Sequence, residues 1–274
     1  MNNFSFNRFC KTFRWYMSVD LHSLLAWLVG ISVGTFLGEL LFMALNANQV
    51  MPGFFTVFIL ITYGVMLSLL FFNLNNKPRR AAFLMLPATH LEKYLSAVFY
   101  VTVVWGLGIL LAFVVGDMMR MVFCSLALGD EWVSAVPKVA KSLIPNTMFH
   151  DEMHVYSLSY RVMNLVVGYS FIMWFHSLYT LGGTFLRKYA FVAASVVLIL
   201  SLSLLSWFIN HFNISMFASQ WDGNAYVGEE VGVVAYVLAV VMPLLSVFNY
   251  WASFQIFKGF QLITNKWTNY DLYK

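Results

Sequence analysis

Charge is scarce in this 274-residue sequence, where Asp, Glu, Lys and Arg make up 10% of the chain against 61% hydrophobic and 18% aromatic residues. So little charge excludes an ordinary soluble domain of this length. Cysteine is scarcer still, with Cys10 and Cys124 alone, and the topology derived below sets them on opposite faces, which excludes a disulfide framework. No G-x-x-x-x-G-K-[ST] loop occurs, so the chain lacks that cradle for nucleotide phosphates and is not expected to be an enzyme that hydrolyses ATP itself. The first 20 residues contain neither the short apolar core nor the small-residue cleavage site of a secretory leader, and the first long apolar run is expected to remain as an anchor. The net charge of +4 comes without a basic-aromatic repeat, and no nucleic-acid partner is expected.

Long apolar runs are what the sequence has in abundance. Six of them fall at about residues 21–45, 53–74, 95–116, 162–186, 189–210 and 233–257, and the mean hydropathy is +0.74. A helix rising about 1.5 Å per residue crosses the hydrocarbon core in roughly 20 residues. The expectation is an all-α integral membrane protein with six transmembrane helices in a single domain spanning residues 1–274.

The connectors sort by sign. Arg8, Lys11 and Arg14, then Lys77, Arg79, Arg80 and Lys93, then Arg187 and Lys188, and finally Lys258, Lys266 and Lys274 place twelve of the 16 Lys and Arg on one side. Opposite them stand Arg120, Lys138, Lys141 and Arg161 with most of the acids, Glu39 and Asp117 among them. The positive-inside rule then makes both termini cytoplasmic, with the basic loops facing anionic membrane lipid.

The N-terminal segment 1–20 is patterned. Phe6, Phe9, Cys10, Phe13 and Met17 share one side of a helical projection, and Asn7, Arg8, Lys11 and Arg14 fall on another, which predicts an amphipathic helix lying in the cytoplasmic interface. Span one carries Gly30, Gly34 and Gly38, each four apart, followed by Glu39. Such a stripe suits close helix approach, either at a dimer or translocation interface or within one subunit, and Glu39 is expected to face protein or water.

The cytoplasmic segment 75–94 reads NNKPRRAAFLMLPATHLEKY. Phe83 to Leu86 form an apolar cluster expected to be exposed as a docking surface. Pro87 breaks the local structure, and Thr89 three residues before Glu92 has the spacing of a capping box that starts the next helix. The segment 117–161, expected outside, contains His150 and His154 with Asp151 and Glu152. Two histidines four apart share a helix face, yet the spacing matches neither H-E-x-x-H nor H-x-x-E-H, so they stand only as weak metal candidates in a solvated acidic cap. His176 in span four is expected to be a packed, hydrogen-bonded histidine, and Pro243 to bend span six.

The run LPATHLEKYLSAVF, from Leu86 to Phe99, resembles the pattern before the third span of ABC-2 type transporter permeases. The six spans, cytoplasmic termini and preceding interfacial helix are also similar to that family, although His90 stands where related chains often carry Arg. The resemblance implies a bacterial inner-membrane exporter subunit that pairs with a second permease and with a separate ATP-binding subunit, which holds the ATP and Mg²⁺. It implies a coupling surface containing Leu86, Pro87, Thr89, Glu92 and Lys93, to which the apolar cluster read above adds Phe83. A non-transporting sensor or scaffold that docks a cytoplasmic partner is the alternative.

Overall fold

The computed structural model describes residues 4–47, 49–128, 133–143, 158–222, 225–260 and 268–269. Among the described residues six helices are long and apolar enough to cross a membrane, which makes the chain a multi-pass membrane protein. They are α1 (Phe6–Ala44), α2 (Met51–Ser68), the third span (His90–Ala127), α7 (Leu158–Phe185), α8 (Ala190–His211) and α9 (Val233–Lys258). The third span is composite: α4 (His90–Phe99) leads into a π-helical stretch (Tyr100–Trp105) and then α5 (Gly106–Leu128). A short helix α3 (Lys77–Met85) precedes it, and α6 (Val136–Leu143) follows it.

Two expectations change. The N-terminal segment is no separate interfacial helix, because α1 runs unbroken for 39 residues, roughly 58 Å at the usual rise. Neither Gly nor Pro interrupts the chain between Phe6 and Val29, so nothing breaks the helix, and residues along it dock on the third span. Its buried positions Thr12, Tyr16, Asp20 and Leu24, followed by Ile31, Thr35 and Glu39, form one continuous stripe. The chain is also not purely helical. Strands β1 (Phe217–Asp222) and β2 (Ala225–Val231) pair antiparallel between α8 and α9, where Phe217, Trp221, Tyr226 and Val227 are residues that favour strands.

The bundle has two chemically distinct ends. The basic end gathers the start of α1, α3, the start of the third span, the α7–α8 connection and the end of α9. Here Phe83 packs among Trp15, Tyr16 and Phe257 at ring distances of 5.4 to 6.1 Å. The other end, which carries the hairpin, is closed by Arg120, whose Nε donates to Glu39 at 2.7 Å and whose Nη2 donates to Asp117 at 2.7 Å. Asp117 also accepts from Ser134 and from the Ala135 N–H, fixing the approach to α6.

Single glycines set the closest helix contacts. A Cβ on Gly116 would lie 2.6 Å from the Ser32 carbonyl oxygen of α1, and one on Gly183 would lie 2.7 Å from the Leu67 carbonyl oxygen of α2. Only glycine lets those backbones approach. The Gly30 and Gly34 positions are different: they are exposed and a Cβ there would meet nothing within 4 Å. Gly38 faces the ring of Phe55, 3.1 Å from where a Cβ would stand. Packing within the subunit therefore uses Gly38 and leaves Gly30 and Gly34 on the outer face.

Candidate functional site

The segment between spans two and three is built around Glu92. Thr89 caps α4 by accepting the Glu92 N–H, while Glu92 Oε2 accepts the Thr89 N–H at 2.8 Å, completing the capping box. The same carboxylate accepts from Arg8 Nε and Nη2 at 2.8 to 3.1 Å and from the Ser5 N–H at 2.6 Å. One buried side chain thus starts two helices, α4 through its own capping box and α1 through the Ser5 N–H. Charge-assisted and bidentate contacts of this type fix geometry as well as adding energy.

The residues expected to form a docking surface divide into anchors and exposed groups. Phe83 is 0% exposed and is a core residue, because α3 turns its ring inward onto α1 and α9. Lys93 is also buried, its Nζ donating to the Leu84 carbonyl at 2.8 Å and lying 5.7 Å from the Phe83 ring centre. Leu86 and Thr89 are partly buried. Met85, at 85% exposed, and Pro87 point outward, with Arg79, His90 and Leu91 beside them. Arg80 is buried under the Phe260 ring, 5.2 Å from its centre, and burial together with the nearby Arg187 charge pushes its pKa down to about 10.

Downstream of this anchored segment, α4 runs directly into the π-helical stretch, a geometry found mostly as local bulges and often at functional sites. Its six residues separate two hollows. On one side Thr102 and Val103 line a groove of about 410 Å³ with Tyr63 and Gly106. On the other, Tyr100, Val101 and Trp105 line a cavity of about 290 Å³ with Tyr16, Asp20 and Trp27. Asp20 is buried there and accepts from Tyr100 Oη at 2.8 Å and from Trp105 Nε1 at 3.4 Å.

His176 fixes the groove side. Its Nε2 meets Thr102 Oγ1 at 2.7 Å and its Nδ1 meets the Tyr250 hydroxyl. Both ring nitrogens are thereby engaged, which ties α7 and α9 to the π stretch. α9 stays helical through Pro243.

No group of His, Cys, Asp and Glu able to hold a metal occurs among the described residues. His150 and His154 lie outside those residues. Asp20 stands just before the first long apolar run, where nothing within a few residues marks it as a site residue. The signal that reveals it is the four-residue spacing Thr12, Tyr16, Asp20, Leu24, which continues the buried stripe of span one.

No family model matches the chain, and neither a curated protein nor a solved structure matches it.

Proposed function

We propose that the chain is the transmembrane subunit of an ATP-driven exporter of the ABC-2 type in a bacterial cytoplasmic membrane, with both termini cytoplasmic. In this reading ATP and Mg²⁺ reside on a separate subunit that docks at the basic end, and two permease subunits, identical or related, meet in the bilayer. The observation that supports it is mechanical: the outward-facing tip around Met85 and Pro87, the capping box at Thr89 and Glu92, and the π stretch lining both hollows follow one another along one continuous run of chain.

A push on the tip is passed through α4, since the Arg8–Glu92 contact resists local yielding and drags the start of α1 along. The π stretch at the far end of α4 then moves relative to α2 and α1, changing the two hollows in opposite senses. Phe83, Glu92 and Lys93 act here as the stiff mount, while Met85, Pro87, His90 and Leu91 make the contact. The exposed Gly30 and Gly34 face fits the second permease.

The test is co-purification of a cognate ATP-binding subunit and its turnover in reconstituted membranes. Met85→Asp changes an exposed side chain and is expected to leave insertion intact while weakening docking and lowering coupled hydrolysis. Unchanged hydrolysis in Met85→Asp rejects the contact surface. Failure of any ATPase to co-purify with the parent protein rejects the exporter and favours a scaffold.

A further inference from the structure

The Asp20 cavity combines three features that packing alone does not call for. A carboxylate 6% exposed lines a hollow of about 290 Å³ inside a membrane bundle. Burying a carboxylate is expensive, and here the cost is partly offset by the Tyr100 and Trp105 donors at the basic end of the bundle. Tyr16 lines the same cavity, and its fully buried hydroxyl has no hydrogen-bond partner among the described residues. A buried hydroxyl left in that state points to a polar ligand group or a bound water, because native interiors otherwise satisfy such atoms. The remaining wall is mixed, with aromatic rings from Trp27, Phe72, Tyr100 and Trp105 beside aliphatic side chains at the end of α2 and Ser23 of α1, and the Tyr16 and Tyr100 rings stack 6.1 Å apart. Aromatic faces attract cations.

We infer that this cavity binds a hydrophobic protonated amine, its ammonium held between the Asp20 carboxylate and the Tyr16 hydroxyl and its apolar body seated against the aromatic rings of the wall. An ammonium N–H donates to both oxygens, which the Tyr16 hydroxyl accepts without giving up its own proton. The wall takes an aryl or branched alkyl body and, beyond Ser23, offers little to a bulky polar one. That the amine is cargo rests on the exporter reading, whereas its binding does not.

Calorimetric titration of the full chain in neutral maltoside micelles with phenethylamine at neutral pH, and with phenethyl alcohol as the uncharged analogue, tests the site. The amine is expected to bind at least about tenfold more tightly than the alcohol, as a charge-assisted contact in a desolvated site requires. Asp20→Asn keeps an acceptor for Tyr100 and Trp105 and is expected to erase that preference. Tyr16→Phe keeps the ring and is expected to weaken the amine several-fold without changing the alcohol. Equal binding of amine and alcohol by the parent, or no binding of the amine, overturns the inference. So does an unchanged amine affinity in Tyr16→Phe, a variant that remains informative even if Asp20→Asn does not stay monodisperse. Failure of the exporter reading is seen separately, in the co-purification experiment.

Discussion

Arg8 and Glu92, 84 residues apart in sequence, form a bidentate ion pair that ties the first turn of α1 to the first turn of α4. Glu92 is fully buried while Arg8 is partly exposed. The carboxylate is therefore the structural centre of the contact, and Arg8 covers it from the solvent side.

Because Glu92 serves two helices, its replacements are expected to form a series. Glu92→Gln keeps acceptance from Thr89 and loses the charge pairing, whereas Glu92→Ala loses both. Apparent melting temperature in detergent should fall in the order parent, Gln, Ala. Thr89→Ala removes only the cap and is expected to cost about 0.5–2 kcal/mol. Equal melting of Gln and Ala variants shows that the capping contact contributes nothing.

The glycine contacts predict opposite outcomes at two kinds of site. Gly116→Val and Gly183→Val force side-chain atoms into the backbone of α1 and α2, and both are expected to give aggregated protein on size-exclusion chromatography. Gly34→Leu is expected to leave the subunit folded and to lower the dimer fraction in bilayers. A full dimer fraction in Gly34→Leu would remove this face from the proposed contact between subunits.

Orientation is checked by cysteine labelling in a Cys10→Ser, Cys124→Ser background. Cysteines at Asn76 and Arg187 should be shielded from an impermeant thiol reagent in intact cells, and one at the exposed Lys141 should react. The reverse pattern inverts the assignment of both termini.

The His176 network predicts a modest and specific stability effect. Tyr250→Phe removes the nearer partner of Nδ1, leaving Thr180 Oγ1 at 3.5 Å, and Thr102→Val removes that of Nε2. Each is expected to lower stability by about 0.6 kcal/mol, the average for hydrogen bonds between membrane helices. The double variant measures whether the two contacts act as a unit, since both meet the same ring.

Much of the architecture was legible because the bilayer imposes a simple code. Apolar length decides which segments span, and the six runs read from the sequence correspond to the six long helices of the structure. The Thr89–Glu92 capping box was equally legible, since it is a contact between residues three apart. Local geometry of that kind is written in spacing alone.

Side-chain direction was not. Phe83 sits in the same apolar cluster as Met85, yet one is buried and the other exposed, because α3 has two faces and only the docking of α1 and α9 selects which is inside. The Gly30–Gly34–Gly38 stripe advertised close packing, but whether the neighbour lies within the subunit depends on where the other helices stand, and they reach Gly38 alone. Asp20 carries no local mark of its burial, because that burial comes with Tyr100 and Trp105, eighty and more residues away. The sequence by itself determined the spans, their charged ends and the start of α4, all of which depend on neighbours within a few residues or on water against lipid. Only the tertiary structure decided the Arg8–Glu92 tie, the π stretch between two hollows and the Asp20 cavity, because each is made by groups that meet only when separate helices pack.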